Sequence, residues 1–221
     1  MKTQEKNFDG IKLSGFTAIL IMLALTGTAI YLLSLPQTPS IIAGVICGIC
    51  VVVMLPGFMI IQPNNSRVLT FFGRYAGTVI SNGFYWVNPL FLKSTVTLRI
   101  LNLNIDPIKV NDKVGNPIMI GAVVVWRIKD TYKASFDISG NIREFVQIQS
   151  DAALRQVAGM YAYDTNETID KVTLRSDESG EITQRLEDEL NSRLAIAGIE
   201  IVEARINYLA YASEIASVML R

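Results

Sequence analysis

Residues able to do chemistry are few in this chain of 221 residues. Histidine is absent, which removes a Ser-His-Asp triad, a Cys-His dyad and every histidine-bearing metal site. Cys47 and Cys50 form a Cys-x-x-Cys pattern, but a redox role for it wants a strand-to-helix setting in a soluble domain. Both lie in a long apolar run and read as small apolar side chains in lipid; they offer no disulfide framework. Ser66, Ser81 and Ser150 have no base at a recognised spacing, and a Ser-Lys dyad has no motif behind it. Carboxylates cluster at Asp177-Glu178 and at Glu187-Asp188-Glu189, on an expected turn and a solvated helix face, where catalysis would want them buried and opposed. Gly73 to Gly77 lacks the lysine and the following helix of a phosphate loop. The residues therefore predict a protein that is not an enzyme, with no cofactor and no metal.

What must position any function is dominated by one stretch. From Leu13 to Ser66 there is no Asp, Glu, Lys or Arg, although the chain holds 20 acidic and 20 basic residues. A bilayer core of roughly 30 Å needs about 20 apolar residues per helix, so the stretch suits two spans. Pro36 and Pro39 divide it. The expected elements are a cytoplasmic segment 1–12, transmembrane helices 13–35 and 41–61, and a short exit loop ending at Ser66, with Pro56-Gly57 kinking the second helix or ending it early. Lys2, Lys6 and Lys12 precede the first span, Arg67 and Arg74 follow the second, and the linker between them carries no cation. By the positive-inside rule both ends are cytoplasmic, which makes a multi-pass hairpin in the cell (plasma or inner) membrane, retained rather than cleaved as a signal peptide. Sequons at Asn64 and Asn166 would then be silent. Gly44 and Gly48 have Gly-x-x-x-Gly spacing, suited either to close helix packing, in the hairpin or with a neighbour, or to chance.

Beyond Ser66 the periodicity turns to strands, consistent with a small, mainly antiparallel sheet over residues 67–128. Arg67–Gly73 is rich in β-branched and aromatic residues and ends on glycine, Tyr75–Ile80 follows, and Ser81-Asn82-Gly83 predicts a hairpin turn into a returning strand Phe84–Val87. The run Thr95–Ile105 changes parity at Ile100-Leu101, which predicts a bulge. Ile118–Trp126 is nearly all apolar, as for a central strand covered on both faces. The remainder reads as helical. Ile142, Phe145, Val146, Ala152, Ala153 and Val157 form one stripe, a capping box at 164–167 opens a short helix, and Ile182, Leu186, Leu190 and Leu194 form a ridge ended by Gly198. Glu181 and Glu189 each stand four residues before an arginine, Arg185 and Arg193, the favoured order for helical ion pairs. A strand over 199–206 and a helix from Ala210 complete the chain.

Three stretches resemble the stomatin–prohibitin–flotillin family, also called SPFH or band 7, and its stomatin-like bacterial members most. The first is Val68–Thr78 leading to Gly83–Pro89, similar to the family's hydrophobic strand, Phe-Gly-Lys/Arg and aromatic-Pro close. The second is Asp112–Pro117 with Val123–Asp130. The third is Ser150–Arg155 with Leu194–Ile199 and Glu203–Ile206. The resemblance covers Ser66 to Arg221 and implies an SPFH domain over 66–209, in an α+β chain whose transmembrane hairpin precedes a small mainly antiparallel sheet and packed helices. Family members usually continue into a long coiled coil; here only its start, 210–221, is expected. Stomatin-like members often use a single re-entrant hairpin, whereas the lengths here favour two full spans.

The resemblance implies a non-enzymatic scaffold that binds the lipid bilayer, self-assembles as a homo-oligomer and organises membrane patches (microdomains) or client membrane proteins. The alternative is a regulatory partner or adaptor of a membrane protease, with 215–220 as its handle; a membrane-bound hydrolase is the third reading. Balanced charge gives no footprint for nucleic acid. Phe84, Tyr85, Trp86, Phe91 and Leu92 are expected at the headgroup region or packed in the domain core. Arg185, Glu189 and Arg193 lie on a mixed-charge surface suited to contacts between copies.

Overall fold

Leu35, Pro36 and Gln37 separate two apolar helices, α1 (Gly15–Ser34) and α2 (Thr38–Met54), in the computed structural model, which describes residues 5–164, 172–176 and 180–214. Pro39 sits in the first turn of α2, where its missing N–H costs nothing, so this helix starts earlier than the expected residue 41. At 20 residues, α1 spans about 30 Å, the thickness of a bilayer core. Phe16, Leu20, Leu23, Ile30, Ile46 and Val52 are all exposed on the outside of the pair, an exterior that belongs in lipid. Thr26, Thr28 and Ser34 donate their hydroxyls to carbonyls one turn back, which satisfies them without water.

The second span is corrected at its far end. A 3₁₀ turn, Leu55–Gly57, follows α2, and residues 58–61 form a strand, β2 (Phe58–Ile61), instead of more helix. Pro56 ends the helical hydrogen bonding, and Met59 and Ile61 point into a protein core. Leu13 likewise lies in a strand, β1 (Lys12–Ser14).

The chain divides into two units, Met1–Leu98 and Arg99–Arg221. The first holds the helices, β1, β2, β3 (Asn65–Phe71), β4 (Arg74–Val79), β5 (Gly83–Val87) and β6 (Phe91–Thr97). Its strands form two three-stranded sheets, ordered β1-β5-β2 and β4-β3-β6. Met59, Ile61, Leu69, Val79 and Val87 make its core, with Phe8, Ala76, Tyr85 and Phe91 against them. The expected hairpin across Asn82-Gly83 does not form. β4 pairs with β3, and β5 crosses to a different sheet.

The second unit is built on β7 (Leu101–Asn111), β8 (Pro117–Ile128) and β9 (Ile199–Tyr211), all antiparallel with β8 central. The parity change at Ile100-Leu101 is a break between β6 and β7, at the boundary of the two units, and not a bulge. One face of β8 is fully buried through Ile118, Ile120, Ala122, Val124 and Trp126, while Met119, Val123 and Val125 on the other are half-buried. Helices α3 (Thr131–Phe136), α4 (Ile142–Ala158) and α5 (Glu181–Leu194) complete the unit. In α4 the buried stripe runs through Val146, Ser150, Ala153, Leu154 and Val157; Ala152 faces out, contrary to expectation. The α5 ridge Ile182, Leu186, Leu190 and Leu194 is fully buried. Gly198 follows a 3₁₀ turn at φ +67°, and an added Cβ would lie 2.5 Å from the Asp130 carbonyl oxygen.

Strand β9 runs to Tyr211, so the helix expected from Ala210 does not begin there; Ala210 and Tyr211 pair with Met119 and Ile118. Register shifts opposite Gly121/Ala122 and Val125/Trp126 allow a strand of 13 residues to follow β8 throughout. Its outer edge is guarded from α5, where Asn191 accepts from the Ile201 N–H (3.0 Å) and Glu187 from the Ala204 N–H (3.1 Å). The expected cap at 164–167, the Asp177-Glu178 pair, the sequon at Asn166 and the segment 215–220 fall wholly or partly outside the described residues.

The β7–β8 turn is organised by Asp112, which is buried. Its carboxylate accepts from the backbone N–H groups of Val114 (3.0 Å), Asn116 (2.7 Å) and Tyr163 (3.1 Å) and from the Asn116 amide (3.2 Å). Asp112→Ala leaves buried donors unpaired and should cost about 2–3 kcal/mol. Thermal unfolding of the detergent-solubilised chain, compared with wild type, measures the loss.

Candidate functional site

The arrangement with functional content in the first unit is the junction where the hairpin meets its sheets. β5 is the middle strand there. On one side it pairs with β1, the residues immediately before α1, with Leu13 opposite Trp86 and Ser14 opposite Tyr85. On the other it pairs with β2, the residues immediately after the 3₁₀ turn, with Phe58 opposite Trp86 and Ile60 opposite Phe84. Both stems of the hairpin are thus hydrogen-bonded to one strand and lie on the same side of whatever the helices cross.

The three aromatic side chains of β5 are occupied in this junction. Phe84 stacks on Phe58 at 5.5 Å and meets Phe16 of α1 edge-on at 5.5 Å. Gly15 has no room for a side chain, since a Cβ there would lie 2.2 Å from the Phe84 ring. Trp86 donates its indole N–H to the carbonyl of Met54, the last residue of α2 (2.9 Å). Tyr85 lies under the Lys12 ammonium, 4.7 Å from its ring centroid, and donates its hydroxyl to the Asn82 carbonyl at 3.1 Å. Phe91 packs edge-on against Phe8 (5.3 Å), and Leu92 is exposed. Four of the five residues expected at a membrane surface are therefore built into the junction, and Leu92 alone among them stands largely free of it.

The segment before β1 is also woven in. Lys6 accepts from the Thr78 N–H (2.9 Å), and the Phe8 N–H donates to the Thr78 carbonyl (3.0 Å). Gly77 lets these chains meet, because a Cβ on it would lie 2.7 Å from the Phe8 Cα. Residues 5–12 thus belong to the folded unit and are not a free tail. Phe8, Gly15, Gly57 and Lys93 were invisible as junction residues in the sequence. Each does its work through a partner more than 28 positions away, and no local periodicity marks such a pairing.

Lys93 reaches from β6 to the end of α2, donating to the carbonyls of Pro56 and of Phe58 (3.3 Å). Burial, and secondarily the Arg67 charge, hold its ammonium below the usual lysine range. No carboxylate pairs with Lys12, Arg67 or Lys93 among the described residues.

Gly44 faces α1, and a Cβ there would lie 2.8 Å from Leu33 Cγ and 3.1 Å from the Ala29 carbonyl. It serves packing inside the hairpin. Nothing lies within 4 Å of the corresponding point on Gly48, which opens outward. Glu189 and Arg193 form an ion pair (2.6 Å), and Arg193 also donates to Gln156 of α4 (2.7 Å), so both tie α5 to α4. Arg185 is exposed. The expected Glu181–Arg185 pair is not what Glu181 makes; it accepts from the Tyr161 hydroxyl at 3.3 Å. Ser66 is buried and donates to the Val96 carbonyl (3.1 Å), Glu187 holds the β9 edge, and Asp188 accepts from Gln184 at 3.1 Å. No group of three metal-ligating side chains occurs among the described residues.

A family model described as the SPFH domain / Band 7 family matches residues 59–221, well over half of the chain. The chain belongs to the SPFH domain / Band 7 family. No curated protein gives a significant match. The match starts at Met59, within β2, so the family's domain takes in β2 to β9, while β1 and the two helices come from the preceding residues. Membership together with the two apolar helices makes this a membrane-associated protein, of a family whose role is in general scaffolding without enzymatic activity.

Two outcomes test the junction. A Cβ on Gly57 would lie 2.3 Å from the Trp86 indole nitrogen and 2.6 Å from the Val87 carbonyl oxygen. Gly57→Ala should therefore destabilise the first unit by about 1–3 kcal/mol, read as a lower unfolding temperature in detergent. Lys93 has its folded pKa below the unfolded value, so the unfolded chain binds more protons between the two. Stability should rise as pH climbs from the lowered folded pKa toward the ordinary lysine value, and a thermal-stability profile of Lys93→Met should lack that rise.

Proposed function

We propose that this chain is a membrane-anchored SPFH-type scaffold that assembles with copies of itself and organises membrane patches or client membrane proteins. The observation that carries this reading is the double pairing of β5 with both stems of the apolar hairpin. An anchor joined to its domain by a flexible linker would merely tether it. An anchor whose two ends are strands of the first unit's own sheet holds that unit in a fixed attitude at the bilayer, which favours side-by-side assembly of copies. The positive-inside rule puts the shared side in the cytoplasm, because Lys6, Lys12, Arg67 and Arg74 flank the hairpin while its connecting turn has no cation. The outward-facing Gly48 and the exposed Arg185 are the candidates for contacts between copies.

The expected outcome in mild detergent is a discrete particle of many subunits by mass photometry and blue-native electrophoresis, from membranes that retain the protein through alkaline carbonate washing. A monomer under both methods overturns the scaffold reading.

A further inference from the structure

Strands β1 and β2 both run antiparallel to β5, so they run parallel to each other. One leads into a helix and the other leads out of one. β1 ends at Ser14, where α1 begins, and β2 begins at Phe58, after the turn that closes α2. Strands standing along the bilayer normal cannot serve both connections. With β1 approaching the bilayer, β2 would run the same way and drive back into the bilayer its chain had just left. Strands lying along the bilayer surface suit both.

β5 fixes which face of this sheet the helices rise from. Side chains two residues apart share one face of a strand. Phe84 meets Phe16 of α1 and closes over Gly15, while Trp86 donates to the carbonyl of Met54 at the end of α2. Two residues of a strand cover about 7 Å, close to the roughly 8–10 Å between the axes of packed helices. Both helices therefore join the sheet on the face of Phe84 and Trp86. The opposite face, with Met59, Ile61, Tyr85 and Val87, turns into the core of the unit, and Lys12 lies over the Tyr85 ring.

Cross-strand pairing puts Leu13, Phe58 and Ile60 on the helix face beside Phe84 and Trp86. Every paired residue on that face is apolar. Ile60 leaves 64% of its surface exposed there, although Met59 and Ile61 on either side of it are buried. Through the contact of Phe84 with Phe16, the patch is continuous with the apolar exterior of α1, and that continuity says what covers it.

We propose that the sheet β1-β5-β2 lies flat on the bilayer, with the face of Leu13, Phe58, Ile60, Phe84 and Trp86 turned to the lipid and Ile60 entering the headgroup–acyl boundary beside the hairpin. This rests on the reading of the helices as a membrane anchor and not on self-assembly. A nitroxide spin label is attached to Ile60→Cys in the full chain, with Cys47→Ala and Cys50→Ala removing the native thiols, and the protein is reconstituted in phosphatidylcholine vesicles. Leu23→Cys, on the exposed side of α1, carries the label in a second sample and reports the anchor. Relaxation by oxygen, which concentrates among acyl chains, is compared with relaxation by a water-soluble nickel chelate. Both labels should relax more with oxygen than with nickel. Stronger relaxation by nickel at the Ile60 position overturns the proposal. Weak relaxation by both agents there also overturns it, because protein then covers the face. A nickel-dominated label at the Leu23 position brings down the anchor reading together with the proposal, whereas oxygen there and nickel at the Ile60 position overturns the sheet contact alone.

Discussion

The backbone hydrogen bonds of β5 are the constraint on which the first unit depends. A strand with partners on both sides must satisfy every N–H and C=O it carries, and an unpaired buried group costs more than a formed bond returns. Here the two partners are the residues entering and leaving the hairpin. Displacing either helix stem would expose one edge of β5, open the stack of Phe16, Phe84 and Phe58, and withdraw the indole of Trp86 from the end of α2. The apolar helices and the sheet are therefore parts of one cooperative structure. The close approaches at Gly15 and Gly57 are its most sensitive points.

The second unit solves a different problem. Its sheet is held by a long buried strand, β8, whose neighbours both lie at edges, and each edge is an invitation to further pairing. Side chains of α5 cover part of the β9 edge, and the same helix buries four aliphatic residues with almost no exposure. Glu200 on β9 accepts from Lys129 and Arg127, which hold its carboxyl below the ordinary range. These exposed ion pairs add little stability in water, yet they fix polarity on a face of the sheet.

Much of this was legible in the sequence where the signal is local. The missing charge between Leu13 and Ser66, the four-residue ridge of α5 and the apolar run of β8 each report burial or lipid through their own composition. Misreadings arose where pairing is remote. Asn82-Gly83 has the composition of a hairpin turn, yet β5 finds partners about 70 residues before it and about 25 before it, and no periodicity in a three-residue strand such as Lys12–Ser14 could reveal that. The parity change at Ile100-Leu101 was visible, but a bulge and a break between units look alike in sequence. Ala210 and Tyr211 extend β9 because their partners on β8 continue, a tertiary effect that overrides local preference.

The placement of β5 between β1 and β2 also sets an order of events in synthesis. The strand that closes this sheet leaves the ribosome after both of its partners and after both apolar helices. Until those helices pair with each other, β1 and β2 are not held side by side, and β5 has no gap to fill. The first unit's sheet β1-β5-β2 can therefore close only when the two stems of the hairpin lie side by side, which ties its completion to the pairing of the two apolar helices. A chain whose hairpin stalls in water keeps Phe84, Trp86 and the open edges of β1 and β2 unburied, which is the kind of surface that folding quality control recognises.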